Sequence, residues 1–94
     1  MKRCVRIKVL GKVQGVFYRR FVQKNAEKID IEGTIQNESD GGILVYACGL
    51  KEKLDDFIDI LYKGSTQSKV SEVIVEPMSE KRDFRKVFRI IGGD

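Results

Sequence analysis

The passage from a strand to a helix near the N-terminus is the feature that most constrains this fold. Residues 4–10 alternate, with Val5, Ile7 and Val9 separated by charged side chains, which is typical of a strand with one buried face. From about residue 17 to residue 29, apolar residues recur at helical spacing. They are Tyr18, Phe21, Val22, Ala26 and Ile29. The intervening loop, residues 11–15, begins and ends in glycine, so the chain is expected to turn sharply before entering the helix.

The remaining apolar segments predict further strands and a second helix. A short strand follows Gly33, and a glycine-rich turn over residues 38–42 leads to a nearly continuous apolar strand at 43–48, which is expected at the centre of the sheet. The later elements are a helix at 51–63, a strand at 70–76 and a short edge strand at 87–91. Gly92, Gly93 and Asp94 are expected to fray.

The order of these elements predicts an α+β fold. Strand, helix, strand, strand, helix and strand, with a short strand added at the end, indicate a ferredoxin-like split βαβ sandwich. Two helices would cover one face of an antiparallel sheet, because each element has a single apolar side. A length of 94 residues fits one domain spanning 1–94. The fold hosts many functions, so activity must be argued from the site.

Composition narrows the class of protein. Hydrophobic residues make up 41% of the chain and there is one proline, as in globular proteins. The apolar runs are too short to span a membrane, and the N-terminal charges do not fit a signal peptide. A cytoplasmic protein is therefore expected. A monomer is the default expectation for a chain of this size. Cys4 and Cys48 are the only cysteines and histidine is absent. We therefore expect two reduced thiols rather than a disulfide or a metal pair, and no metal site.

Positive charge is concentrated in the first quarter of the chain. The net charge is +4, and no acidic residue interrupts the first eight bases. They are Lys2, Arg3, Arg6, Lys8, Lys12, Arg19, Arg20 and Lys24. Most of these side chains, Arg20 among them, are expected to face solvent, while their field would attract small anions. No lysine-rich tail is present, so a nucleic-acid-binding arm is not indicated.

The glycine loop has the properties of a phosphate-binding loop. Glycines let several backbone N–H groups converge, the start of a helix adds unpaired donors, and Arg19 in its first turn can hold two oxygens at once. The loop lacks the Gly-Lys-Ser/Thr ending of a Walker A motif and the third glycine of the dinucleotide-binding motif. With these two nucleotide motifs excluded, the loop is interpreted as a short cradle for one phosphoryl group. The alternative interpretation is that the glycines only shape the turn between strand and helix.

Asn37 is the second candidate. In a split βαβ sheet the strand ending at Asn37 runs parallel to the first strand, with one strand between them, so both end at the same edge. The Asn37 amide could then point at whatever the glycine loop holds. The alternative is a turn asparagine that bonds its own backbone.

Together these residues resemble the acylphosphatase family, over nearly the whole chain. The family motif Gly-x-Val-Gln-Gly-Val-x-Phe-Arg is matched by residues 11–19, except that Tyr18 replaces a phenylalanine. The second motif is matched by Gly33, Asn37, Gly41 and Gly49. Departures are Thr34 at a usually aromatic position, Ser65 where proline is frequent, and the lack of a closing tyrosine.

The resemblance implies hydrolysis of a small-molecule acyl phosphate to a carboxylate and inorganic phosphate, without a metal or other cofactor. It implies that backbone N–H groups of residues 14–18 bind the phosphoryl oxygens together with the side chain of Arg19, and that Asn37 orients the attacking water. The backbone donors would come from Gln14, Gly15, Val16, Phe17 and Tyr18. The leaving carboxylate has a conjugate acid of pKa about 4, so a site without histidine could expel it unaided.

A non-catalytic anion-binding or RNA-binding module is the alternative function. Residues 15–22 superficially resemble the aromatic signature of RNA-recognition domains, which share this sandwich. That signature belongs on the third strand, where only Tyr46 is aromatic here. We therefore expect no nucleic-acid partner and no membrane partner.

Overall fold

The computed structural model of the chain describes residues 1–92, which form five strands and two helices. In chain order these are β1 (Lys2–Lys12), α1 (Tyr18–Lys28), β2 (Glu32–Asn37), β3 (Ile43–Leu50), α2 (Lys51–Lys63), β4 (Lys69–Pro77) and β5 (Phe88–Ile91). The predicted order of elements and the ferredoxin-like α+β fold are confirmed. Gly93 and Asp94, which were expected to fray, lie outside the described residues.

The sheet has the strand order β4-β1-β3-β2-β5, with β3 at its centre as predicted. Both β1 and β2 pair antiparallel with β3, so β1 and β2 run in the same direction and end at the same edge. This places Asn37 and the loop after β1 at one end of the sheet.

The prediction of a fully antiparallel sheet is wrong for the last strand, because β5 pairs parallel with β2. The connection explains this direction. Pro77, at the end of β4, lies opposite Val5, and Phe88, at the start of β5, lies opposite Gly33 near the start of β2. Residues 78–87 therefore cross the sheet at one end, and β5 must begin where β2 begins.

Both helices pack on one face of the sheet and form a single core with it. The fully buried side chains include Tyr18 and Val22 of α1 and Phe57 and Leu61 of α2. Burying each large apolar side chain contributes about 2 kcal/mol. The Tyr18 hydroxyl donates a hydrogen bond of 2.8 Å to the Leu61 carbonyl, which joins the two helices. Burial raises the pKa of Tyr18, so the hydroxyl stays protonated as a donor.

The two cysteines form a disulfide, so the prediction of reduced thiols is wrong. Cys4 and Cys48 are directly opposite each other in the β1–β3 register, with their Cα atoms 4.1 Å apart. Both side chains are buried. Spacing along the sequence could not reveal this pair, because it depends on the register of two strands that are distant in sequence.

The other face of the sheet is partly covered by the segment 78–87. The Arg82 guanidinium lies 4.8 Å from the centroid of the Tyr46 ring and 5.1 Å from that of Phe84. The backbone N–H of Phe84 donates to the buried carboxylate of Glu32 at 2.6 Å. Tyr46, the aromatic residue on which RNA binding would depend, is thus already stacked against a cation.

Candidate active site

A pocket of about 410 Å³ opens between the loop that enters α1 and the end of β2. Its described lining consists of Val13, Gly15, Phe17, Tyr18, Arg19, Arg20, Asn37, Ile90 and Gly92. The two residues predicted from separate motifs, Arg19 and Asn37, therefore share one pocket. Of the predicted backbone donors, Gly15, Phe17 and Tyr18 line it, whereas Gln14 and Val16 are not in the described lining.

The loop has left-handed backbone at two of its positions. Gly15 has φ 70°, which glycine adopts without steric cost. Phe17 has φ 59° and ψ 22°, a conformation that costs a residue with a side chain about 1–2 kcal/mol. Left-handed residues within a turn bring successive N–H groups toward one concavity. Within residues 1–92, the N–H groups of Gly15, Val16 and Phe17 donate to no acceptor of the protein.

The first turn of α1 adds positive potential to the same place. Phe17 is the N-cap residue, makes no side-chain capping bond, and is followed by no acidic residue in the first turn. The partial positive charge of the helix start is therefore not offset by the first-turn side chains. An anion in the pocket would take the place of the missing cap.

Arg19 and Arg20 make the described lining of the pocket cationic, and no carboxylate is found in that lining. Arg19 is half-buried, and its Nη1 donates a hydrogen bond of 3.2 Å to the carbonyl of Ile91 in β5. This bond ties the guanidinium to the β5 side of the pocket. Arg20 is exposed, as expected.

Asn37 carries a buried oxygen that has no partner. Its Oδ1 is inaccessible to solvent and accepts no hydrogen bond from the described residues. Leaving such an acceptor unpaired costs about 1–3 kcal/mol, and it belongs to a residue that lines the pocket. The turn after Asn37 is held by other groups, because Asp40 Oδ1 accepts from the Gly42 N–H at 2.9 Å. This contact does not support the alternative that the Asn37 side chain hydrogen-bonds the backbone of its own turn.

Two side chains that hold this loop in place by hydrogen bonds were not predicted from the sequence. The Gln14 Nε2 donates to the carbonyl oxygens of Glu38 and Gly42, at 2.7 and 2.9 Å. Ser65 Oγ donates to the carbonyl of Val16 at 2.9 Å. Gln14 was predicted only as a backbone donor. A polar side chain inside a glycine-bounded loop is the signal available, but its acceptors depend on packing between distant turns.

An ion-pair cluster holds the turn that follows Asn37. Lys8 Nζ lies 2.9 Å from Asp40 Oδ2 and 3.4 Å from Glu38 Oε1. The hydrogen bond from Lys8 lowers the pKa of Asp40, and the Gly42 N–H lowers it further. The same contact with Asp40 raises the pKa of Lys8.

A second pocket, of about 340 Å³, lies at the opposite end of the sheet near Lys2, Glu32 and Leu50. Its buried carboxylate, Glu32, is already paired with Lys2 at 3.0 Å. Neither pocket belongs to a metal-binding cluster, since residues 1–92 contain no group of three or more His, Cys, Asp or Glu side chains arranged for a metal. Within residues 1–92, no helix is long and apolar enough to cross a bilayer.

Comparison with known proteins shows the family of the chain. The acylphosphatase family model matches residues 5–90. The chain belongs to the acylphosphatase family. It is 44% identical over 81 residues to an acylphosphatase of Bacillus licheniformis, covering 86% of this chain and 90% of that protein. It is 38% identical over 87 residues to one of Coxiella burnetii, covering 87% and 88% of the two chains.

Solved acylphosphatases share the fold throughout. The crystal structure of the acylphosphatase from Bacillus subtilis superposes with a TM-score of 0.91 at 34% identity, covering 98% of this chain and 100% of that one. The Coxiella burnetii structure gives a TM-score of 0.86 at 34% identity, covering 95% and 92%. These relatives identify the chain as an enzyme of the acylphosphatase class.

Proposed function

We propose that this acylphosphatase hydrolyses acyl phosphates in the pocket between residues 13–17 and Asn37, with Arg19 and the backbone of that loop binding the phosphoryl group. One observation carries the proposal. The N–H groups of residues 15–17 have no protein acceptor within the described chain, and they lie beside a pocket that Arg19 and Asn37 also line. Donors for an anion and an amide side chain for orienting a water are thereby adjacent.

Phosphate recognition relies on the backbone and on one side chain. The N–H groups of residues 14–18 donate to the phosphoryl oxygens, assisted by the positive start of α1. Arg19 contributes a planar guanidinium that can bond two oxygens at once. Val13 and Val16 belong to the loop, are buried and keep its surroundings apolar, which strengthens the N–H···O bonds made there.

Hydrolysis then requires an oriented water. The Asn37 amide turns toward the pocket that it lines, and its oxygen accepts a hydrogen bond from a water that directs a lone pair at phosphorus. The new bond forms between the water oxygen and phosphorus, while the bond between phosphorus and the acyl oxygen breaks and its electrons remain on the departing carboxylate. The proton lost by the water ends on phosphate or solvent. Positioning and electrostatic stabilisation of the in-line transfer lower the barrier.

This scheme needs no general acid and no metal. The conjugate acid of the leaving carboxylate has a pKa of about 4, so it departs unprotonated. Arg19 and the helix start supply the positive charge that a metal supplies in other phosphoryl transfers. We therefore expect full activity in EDTA.

The remaining predictions concern the protein's surroundings. The substrate is a small molecule, and a monomer without nucleic-acid or membrane partners remains our expectation. The cytoplasmic location also stays a prediction, although the disulfide removes the reduced thiols as an argument for it.

The test compares Arg19→Ala with Arg20→Ala, assayed with benzoyl phosphate and acetyl phosphate. The two variants lose the same charge at adjacent positions, so the general field of the protein changes equally. Loss of the Arg19 clamp should cost at least about 3 kcal/mol of transition-state stabilisation, a drop in kcat/KM of more than about 100-fold. Arg20→Ala should stay within about threefold of wild type. A folded Arg19→Ala variant with wild-type kcat/KM, or equal losses in both variants, would exclude this role.

A further inference from the structure

Ser65 reaches the phosphate-binding loop from a different part of the chain. It lies in the loop between α2 and β4, is half-buried, and donates from Oγ to the Val16 carbonyl at 2.9 Å across 49 residues of sequence. We propose that Ser65 is a positioning residue that holds the peptide between Val16 and Phe17 with its N–H directed into the pocket. This inference rests on the proposed function and adds a residue to it.

Peptide geometry links the bond to the pocket. No cis peptide occurs in the described chain, and in a planar trans peptide the C=O and the N–H point in opposite directions. A Val16 carbonyl fixed toward Ser65 therefore directs the Phe17 N–H away from the α2–β4 loop. Phe17 lines the pocket, whereas the described lining includes no residue of the α2–β4 loop.

The conformation that Ser65 supports is one that the chain would not choose by itself. Phe17 has left-handed backbone, which is unfavourable for a residue with a side chain and persists only when surrounding contacts impose it. The bond from Ser65 is such a contact, because it fixes the peptide immediately before Phe17. It also polarises that peptide, so that the Phe17 N–H becomes a stronger donor toward an anion.

Ser65 is itself held in a rigid turn. Its carbonyl accepts hydrogen bonds from the Ser68 N–H at 3.1 Å and from Ser68 Oγ at 2.9 Å. Gly64 precedes it at the end of α2, with φ 68°, and donates to the Ile60 carbonyl at 3.1 Å. A Cβ added at Gly64 would lie 2.3 Å from Ser68 Oγ, so the turn is closely packed. The hydroxyl of Ser65 is thus presented from a fixed position.

The experiment compares Ser65→Ala, Ser65→Thr and Ser68→Ala in the full chain. Ser65→Ala removes the hydroxyl from Val16, and Ser65→Thr retains a hydroxyl. Ser68→Ala removes a bond within the same turn and leaves the Ser65 hydroxyl in place, so it controls for loosening of the turn. For each variant we would measure thermal stability, the inhibition constant of inorganic phosphate, and kcat and KM for benzoyl phosphate.

Ser65→Ala should weaken phosphate inhibition and lower kcat/KM by about fivefold to tenfold. Ser65→Thr should restore both quantities to within about twofold of wild type. Ser68→Ala keeps the Ser65 hydroxyl and the bond from the Ser68 N–H to the Ser65 carbonyl, so it should change them by less than about twofold. If Ser65→Ala loses only thermal stability, or if Ser68→Ala reproduces its kinetic loss, the positioning role is wrong. Arg19→Ala in the same series separates the two proposals, since unchanged phosphate inhibition in that variant would refute the phosphate site itself.

Discussion

The side-chain amide of Gln14 donates a hydrogen bond of 2.7 Å to the backbone carbonyl of Glu38. A second bond, of 2.9 Å, reaches the carbonyl of Gly42 across the same turn. Glu38 follows Asn37 directly, so Gln14 fixes the loop that would bind phosphate relative to the amide that would orient water. The two halves of the proposed site come from different motifs and are joined by this one side chain.

Replacing Gln14 with alanine should therefore affect both stability and turnover. Two hydrogen bonds are lost, and the free energy of unfolding should fall by about 1–2 kcal/mol, as measured by urea denaturation. Gln23→Ala is the matched control, because Gln23 Nε2 donates a comparable bond of 2.9 Å to the Phe88 carbonyl. Both variants should lose stability, but only Gln14→Ala should lower kcat. Equal kcat in wild type and Gln14→Ala would show that the connection does not matter for catalysis.

Asn37→Ala should lower kcat by about 100-fold while leaving phosphate inhibition within twofold of wild type, because the amide acts on water and not on the anion. Stability should not fall, since the lost oxygen is buried without a partner. Asn37→Asp retains an acceptor oxygen but adds a negative charge beside the phosphate, and so should weaken phosphate inhibition. An Asn37→Ala variant that loses phosphate binding at unchanged kcat would assign the residue to the anion instead.

The Cys4–Cys48 disulfide should contribute mainly to stability. It closes a loop with a sequence separation of 44, for which the chain-entropy argument gives about 4 kcal/mol. Dithiothreitol should lower the urea midpoint of the wild type and leave that of a Cys4→Ala/Cys48→Ala variant unchanged. Phosphate inhibition should be the same in both proteins, since the bridge joins the start of β1 to the end of β3, away from the pocket. If dithiothreitol does not change the urea midpoint of the wild-type protein, the disulfide does not contribute to stability as described.

The Lys8–Asp40 pair predicts a pH dependence of stability. The folded-state pKa of Asp40 is lowered, so its contribution is fully present above the unfolded value of about 3.9 and is lost as pH falls through the folded pKa. Asp40→Asn keeps an oxygen for the Gly42 N–H but removes the charge. The stability difference between wild type and Asp40→Asn should therefore be constant from pH 5 to 7 and shrink below pH 4. A difference that is independent of pH would mean that the ion pair contributes nothing.

Much of the fold follows from local patterns in the sequence. Each element has one buried face, and that face leaves a pattern in the sequence. Examples are the alternation over residues 4–10, the helical spacing from Tyr18 and the apolar stripe of the second helix. The type and order of the elements can therefore be predicted. The helix predicted at 51–63 is α2, Lys51–Lys63. The direction of β5 was not predictable in this way, because it depends on where the connection from β4 crosses the sheet.

The lining of the candidate site was predictable where a motif carries local signatures, and its supporting contacts were hidden where they join distant segments. Gly15, Arg19 and Asn37 are recognisable because a cradle, a cation and an amide at strand ends have local signatures. The side-chain bond of Gln14 and the bond from Ser65 to Val16 join segments that are 24 to 49 residues apart. The Cys4–Cys48 bridge is hidden for the same reason, since strand register decides it.

The central claim is that the backbone of the loop before α1 binds the phosphoryl group, and the most direct test is a titration of the ¹⁵N-labelled protein with inorganic phosphate, followed by two-dimensional amide NMR. The account predicts saturable shifts that are largest for the N–H groups of Gly15, Val16 and Phe17, with weaker binding in Arg19→Ala. Shifts confined to the far pocket near Lys2 and Glu32, or no saturable change at residues 15–17, would contradict it.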